Sequence, residues 1–412
     1  MGPARGATTR LKPAIAHNQQ QVFLRLWRSL RPHLRTDRAL PARIQAALRR
    51  PEFGARDRRL YRELLYTAVR YLPWVDEITA RGEAAALPAV AWLAADAPAT
   101  RDYREALVAA WPPLPPTIGE RAQHLGVRRE LLPAWFRRHC PEAFLSPNLE
   151  ALHARAPLWV RLQTDDPAPV RADFLSRGWA WRQSEICPDA CEVLADADLT
   201  ASAAYRDGLL EVQDLGSQLV LASAEIARGG RWLDACAGAG GKSLQLARLL
   251  GPAAAVDACD VRPEALAELR QRARRGGLTT IHVLDRLPSG GDYDGVLVDA
   301  SCSGSGTWRR APHLKWCTTA AEVAAHGRRQ QQLLAGCIRQ VRPGGMLLYA
   351  TCSLSRQENQ DVARAFLAAQ PDFAPLAPAR TFDCSADTIG LTILPARHNT
   401  DGFFVAAFRR VR

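Results

Sequence analysis

The chain has 412 residues, 47% hydrophobic and 23% charged, which is ordinary for a globular protein and long enough for two or three domains with real cores. No stretch reaches the length of a membrane span, and the basic N-terminus MGPARGATTRLKPAIAHNQQQ lacks the apolar core of a secretory signal, so membrane and secreted classes are set aside. The formal charge of +12 is uneven: residues 1–150 hold 24 Lys+Arg against 14 Asp+Glu, a net of +10, and the rest hold 30 against 28, a net of +2. A basic module beside a near-neutral one points to a polyanion-binding arm on a second unit. Nearly all the positive charge is arginine; lysine occurs only as Lys12, Lys242 and Lys315.

Residues 1–18 read as flexible. From Gln19 the pattern is helical, with Val22, Phe23, Leu26, Trp27 and Leu30 on one face. A second amphipathic stretch carries Leu60, Tyr61, Leu64, Leu65, Ala68, Val69 and Leu72, flanked by Arg56, Arg58, Arg59, Arg62 and Arg70. Those arginines are either a solvated face or phosphate contacts. Further helical segments run to about residue 150, broken by WPPLPP at 111–116, so 1–150 is expected to be an all-helical domain.

Residues 151–215 form a small α/β connecting region, with strands in PLWVRLQT, CEVLA and GLLEVQD and a short helix in PVRADFLSRG. From Gly216 to the end, strands alternate with helices: Arg231–Ala235, Ala253–Ala258, Thr280–Leu284, Tyr293–Val298 and Met346–Ala350. That alternation predicts a parallel, doubly wound α/β sheet. A closing hairpin, Leu391–Leu394 with Phe403–Phe408, predicts an antiparallel edge. Nothing in the chain points to a subunit interface, so a monomer is expected.

Open α/β sheets bind ligands beyond the carboxyl ends of their strands. Asp234 and the glycines after it, Asp260, Asp285, Asp299 with Cys302, and Thr351 with Cys352 all fall at such ends. The first turn, Cys236–Ala237–Gly238–Ala239–Gly240–Gly241–Lys242, fails the phosphate-loop pattern because Cys236 stands where that motif needs glycine. Its glycines instead allow close backbone approach to a ligand at a helix start. Asp260 is placed to accept from a ribose, and Asp285 to lie near an adenine edge. That set suits S-adenosylmethionine, which carries both groups and no phosphate.

The ten cysteines are scattered, as for reduced thiols in a cytoplasmic protein. Cys187 and Cys191 lie close together without a second Cys/His pair at zinc spacing, so no metal is expected. Cys302, in VLVDASCSGSG, and Cys352, in MLLYATCSLS, differ in context. C5 of cytosine is a poor nucleophile, but a thiolate adding at C6 makes it enamine-like and able to take a methyl group. The reaction needs a nucleophilic Cys, a partner for the N3/N4 edge and a base for the C5 proton. Cys302, Cys352 and Asp299 supply suitable groups, and Lys315, Arg309 or Arg310 is a candidate for lowering a thiol pKa. The bare sequence leaves the choice between the thiols open. It also leaves three rivals: a nonenzymatic RNA-binding assembly factor, a phosphate-loop NTPase and, as a lesser option, a DNA methyltransferase using the earlier thiol.

DACAGAGGKS, DASCSGSGTWRRAPHLKW, LLYATCSLSRQENQ, the closing DGFFVAAF and VQDLGSQL at 212–219 together resemble the RsmB (Sun/Fmu) branch of the Nop/Sun family of RNA cytosine-C5 methyltransferases. ARDRRLYRELLYTAVRYLPWVDEI at 55–78 resembles the NusB-type helical RNA-binding domain of that branch. The resemblance implies a Rossmann-like methyltransferase domain over 216–412 behind a NusB-like domain over 1–150. It implies S-adenosylmethionine as cofactor and small-subunit (16S) ribosomal RNA as substrate. It implies Cys352 as nucleophile, Cys302 assisting product release, and cofactor contacts from Cys236 through Lys242, Asp260, Asp285 and Asp299. Two positions depart from the family's usual pattern: Ser301 and Ala239 each stand where proline is common. Loss of proline frees φ locally, which bears on how Cys302 is positioned.

Overall fold

The computed structural model describes residues 12–412, so residues 1–11 of the segment read as flexible lie outside the described residues. Residues 13–18 are already helical, because Pro13 opens the helix Pro13–Leu30 with its fixed φ and missing donor. No described helix is long and apolar enough to cross a membrane. The chain divides into two compact units. The first comprises residues up to 137, 141–155 and 308–318; the second comprises 138–140, 156–307 and 319–412.

Through residue 155 the first unit is helical, as the apolar periodicity predicts. Its helices are Pro13–Leu30, Leu40–Leu48, Ala55–Arg70, Leu72–Thr79, Ala86–Leu93, Arg101–Val108, Ile118–Leu125 and Asn148–His153. Val22, Phe23, Leu26, Trp27 and Leu30 are buried together with Leu64, Leu65, Trp74 and Trp92 in one core. WPPLPP falls between two helices, and the second of these, Ile118–Leu125, begins in a Thr117–Glu120 capping box and ends at left-handed Gly126. Segment 308–318, which follows the Cys302 motif in sequence, packs within this unit. Trp308 lies with its ring 4.6 Å from Phe136, and Trp316 Nε1 donates to Val69 O at 3.0 Å.

In the second unit, β1 (Leu158–Leu162), β2 (Trp181–Gln183), β3 (Ala190–Val193) and β4 (Leu210–Val212) form an antiparallel sheet in the order β2-β3-β1-β4. β2 is not expected from sequence, since WRQ is too short to show alternation. The larger sheet holds β5 (Arg231–Asp234), β6 (Ala255–Ala258), β7 (Ile281–Val283), β8 (Tyr293–Asp299), β9 (Val341–Thr351), β10 (Phe373–Leu376), β11 (Ser385–Ala386), β12 (Leu391–Ile393) and β13 (Phe403–Arg410). Its order is β11-β12-β13-β9-β8-β5-β6-β7, with β10 also on β13. The run from β9 to β7 is parallel, and β13 pairs antiparallel with β9, so the predicted doubly wound sheet with an antiparallel side is present.

Neighbouring residues of the central strands enter opposite cores. Leu297, Leu348 and Val405 face one; Val296, Val298, Leu347, Tyr349 and Phe404 face the other. Both faces are covered, which is why these strands read as continuous apolar runs rather than alternating ones. β5 pairs with β6 on one side and β8 on the other, so the winding reverses there. In open α/β sheets such a reversal is where ligands bind, which here directs attention to the carboxyl ends of β5 and β8.

Candidate active site

Beyond β5 the chain turns through Cys236–Gly240 into the helix Gly241–Leu250. Gly238 and Gly240 have φ of +53° and +88°, a region L side chains disfavour. A Cβ on Gly240 would lie 2.1 Å from Leu269 Cδ1, so the turn sits hard against the helix Pro263–Arg275. A Cβ on Gly241 would meet nothing within 4 Å, which leaves open space at the helix start.

Beneath the turn, Asp234 is fully buried, accepting from Ser243 Oγ at 2.7 Å and Cys236 N at 3.3 Å. Burial pushes its carboxyl up to about 7, a rise the Ser243 hydrogen bond opposes and the charge of Asp299 reinforces. Burial also drives the Cys236 thiol far above its ordinary range, with Asp234 adding to the effect. Ala237 N donates to Cys259 O at 2.9 Å, tying the turn to the end of β6.

Asp260, just past β6, accepts from Gly238 N at 2.8 Å, so the predicted ribose acceptor does adjoin the glycine turn. It also accepts from Arg262 N and Nε at 2.9 and 3.0 Å and from Arg262 Nη2 at 3.2 Å. Burial alone would raise its carboxyl, but the Arg262 and Gly238 hydrogen bonds outweigh burial and hold it below the usual carboxylate value. The Arg262 side chain is 60% exposed. Asp285, beyond β7, has an exposed side chain paired at 3.5 Å with Arg270.

Lys242 Nζ reaches Asp299 Oδ2 at 2.8 Å and lies 5.1 Å from the centre of the Phe403 ring. The residue after the glycine turn, the end of β8 and the closing DGFF motif are thereby joined. Three residues on, Cys302 Sγ is 3.3 Å from Cys352 Sγ, and both thiols are partly exposed. The hydrogen bond to Cys352, followed by burial and the charges of Cys352 and Glu358, raises the Cys302 pKa well above its ordinary value.

The loops bearing the two thiols are fixed by residues the sequence reading passed over. Glu358, fully buried, accepts from Ser303 N at 2.7 Å and from the hydroxyls of Ser303 and Ser353. Ser305 Oγ lies 3.0 Å from Ser353 Oγ and accepts from Leu354 N at 2.9 Å. Asn359 accepts from Thr351 Oγ1 at 2.6 Å and donates to Ser353 O at 2.9 Å. The signal was present as the serines of SCSGSG and TCSLS followed by Glu-Asn, but pairing across 50 residues follows only from β8 lying beside β9. Ser301, where proline is usual, keeps its place because Gln330 Nε2 donates to its carbonyl at 3.0 Å.

One expectation is corrected. Lys315 does not serve a thiol. It is fully buried in the first unit, where Nζ donates to Arg70 O at 2.9 Å and lies 2.8 Å from His153 Nε2. Burial, then the charge of Arg70, pushes its pKa well down. Arg309 is committed in the same unit, with Nη2 donating to Arg155 O at 3.0 Å.

Residues 220–409 match the family described as 16S rRNA methyltransferase RsmB/F. The ribosomal RNA small subunit methyltransferase B of Vibrio cholerae is 30% identical over 289 residues, covering 68% of this chain and 65% of that protein. Its counterpart from Shewanella oneidensis is 31% identical over 296 residues, covering 66% of each. The match thus spans slightly under two thirds of the length of these relatives. Among solved structures, PH0851 has a TM-score of 0.72 at 21% identity, covering 97% of this chain and all (100%) of its own. NSun6 from Pyrococcus horikoshii has a TM-score of 0.60 at 17% identity, covering 68% of this chain and 97% of its own. At such identities the likeness speaks for the Rossmann-like methyltransferase fold. The motif residues thus gather at the strand ends of a chain that, over residues 220–409, is similar to the family described as 16S rRNA methyltransferase RsmB/F.

Proposed function

We propose that this protein is an S-adenosylmethionine-dependent RNA cytosine-C5 methyltransferase acting on small-subunit ribosomal RNA through a covalent cysteine–C6 adduct. The observation that carries the reading is the thiol pair, 3.3 Å apart, beside the Lys242–Asp299 ion pair at the strand ends. The names of the relatives support the RNA class, and the NSun6 neighbour was solved with SFG.

The turn Cys236–Lys242 with Asp260 fits the cofactor: it combines a carboxylate with open space beyond Gly241. Asp285 and Asp299 complete the proposed contacts. When bound, S-adenosylmethionine would supply an electrophilic methyl group. Asp299 would hold the N3/N4 edge of the base. Cys352 Sγ adds at C6, which passes electron density to C5. After methylation a base takes the C5 proton and the Sγ–C6 bond breaks, returning the thiolate. Cys302, whose sulfur lies 3.3 Å from that of Cys352, is placed to assist release of the product. The target base must be unstacked or single-stranded to be reached.

The test uses labelled S-adenosylmethionine and unmodified small-subunit rRNA. Cys352→Ala is expected to abolish 5-methylcytosine formation. Cys302→Ala is expected to accumulate a denaturation-resistant RNA adduct. Rapid release of free product from Cys302→Ala would overturn the division of labour, and label transfer by Cys352→Ala would overturn the nucleophile.

A further inference from the structure

Ala239 occupies the middle of the glycine turn, where a proline ring would have fixed φ. Its carbonyl instead accepts a hydrogen bond from Arg272 Nη1 at 2.7 Å. Arg272 sits on the helix Pro263–Arg275. The rest of its fork is held by Glu211 of β4, with Nε and Nη2 at 3.1 and 3.0 Å from Oε2. The two side chains are 13% and 2% exposed. Charge-assisted hydrogen bonds from a shielded, oriented guanidinium are stronger than neutral ones. A line of buried polar contacts therefore runs from the small sheet through Glu211 and Arg272 to one carbonyl of the turn. Leu269, three residues before Arg272, meets Gly240 of the same turn. Gly208, just before β4, comes so close to this helix that a Cβ would lie 2.1 Å from Arg275 O.

We infer that Arg272, oriented by Glu211, is a positioning residue that holds the glycine turn in its ligand-ready shape, the task a proline at 239 would perform by restricting φ. This rests on the reading of the turn as the S-adenosylmethionine site. Arg272 acts through the Ala239 carbonyl and touches no reacting atom. Without it the turn samples other conformations, and apparent affinity falls by the fraction that remains competent. The rate at saturating cofactor is left alone, because the thiols Cys302 and Cys352 belong to other loops.

The experiment measures S-adenosylmethionine binding by calorimetry, and kcat at saturating cofactor, on the full chain. The variants are Arg272→Met, Ala239→Pro, the double variant and Asp260→Ala, each checked by thermal melting. In Arg272→Met, Glu211 keeps its second partner, Arg275. That variant is expected to bind about tenfold more weakly, with kcat within about twofold of wild type. Ala239 is not among the described non-glycine residues with positive φ, so its φ is not in the left-handed region that proline cannot adopt. Ala239→Pro alone is the reference for the double variant, and in the Arg272→Met background Ala239→Pro is expected to restore most of the affinity lost by Arg272→Met. A merely structural arginine would not be relieved by a proline in the turn. Should Arg272→Met fail to melt cooperatively, Arg272→Lys takes its place, and its loss must again be relieved by Ala239→Pro. Unchanged affinity, or a loss that proline does not relieve, overturns the inference while a weakened Asp260→Ala leaves the cofactor reading standing. Unchanged binding by Asp260→Ala would instead overturn that reading.

Discussion

Glu358 is fully buried and accepts from one backbone amide and two serine hydroxyls, drawn from the loops after β8 and β9. A carboxylate with its lone pairs so used fixes both loops, and through them the separation of the two sulfurs. Glutamine in its place would turn an amide NH2 toward groups that are themselves donors, and a buried unsatisfied donor costs about 1–3 kcal/mol. Glu358→Gln is therefore expected to lower the single-turnover methylation rate about tenfold or more through misplacement of Cys352, leaving S-adenosylmethionine affinity unchanged. A wild-type rate would show that the thiols hold their places without it. The contrast with Cys302, Cys352 and Asp299 shows what sequence reveals at this scale. A reactive side chain at the end of an apolar run is visible in one segment. Glu358, Gln330 and Ser305 act across 28 to 55 residues, so their roles exist only once β8 and β9 are paired.

At the scale of elements, three motif loops meet at glycines. Gly306 N donates to Cys352 O at 2.9 Å, and Gly402 N donates to Gly306 O at 2.8 Å. A Cβ on Gly306 would stand 2.0 Å from Gly402 O, a backbone atom that cannot swing aside. Gly306→Ala is thus expected to lower the melting temperature by several degrees and to abolish methylation. Gly241→Ala makes the opposite split. Its Cβ meets nothing, and alanine favours the helix by about 1 kcal/mol, so melting should hold or rise while the methyl group fills the proposed cofactor space and weakens binding. Loss of stability without loss of affinity in Gly241→Ala would remove the cofactor from that space. The element boundaries themselves were partly legible. β5 and β8 match their apolar runs closely, because a strand covered on both faces has no polar interruptions. β9 extends back to Val341, beyond the run that announced it, because Val341 pairs with Tyr293 across an irregular register. Segment 308–318 looked continuous with the Cys302 motif, and only the burial of Trp308 and Lys315 in the first unit assigns it otherwise.

For the molecule as a whole, the charge asymmetry remains to be given work. Several arginines of the first unit are met by carboxylates: Arg28 by Glu83, Arg35 by Asp76 and Arg56 by Asp102. The excess of ten positive charges in residues 1–150 must be carried by others. On the helix Ala55–Arg70, Arg59 and Arg62 are exposed, opposite the face that buries Leu60, Leu64 and Leu65. Arg70, grouped with them in the sequence reading, is buried, with Nη2 donating to Arg309 O at 3.4 Å, and is removed from the phosphate-contact candidates. If the exposed arginines neutralise phosphates, each contact releases counterions, and affinity for rRNA falls with salt at a slope set by their number. Replacing Arg59 and Arg62 by glutamine should then flatten the plot of log affinity against log salt by about 1 to 2, and weaken RNA binding most at low salt. S-adenosylmethionine affinity and melting temperature should stay as in wild type, since neither side chain is part of a core. An unchanged slope would mean that this helix faces water and that the RNA is held by other surfaces; a slope that falls with an intact fold makes the basic first third of the chain the arm that carries the substrate.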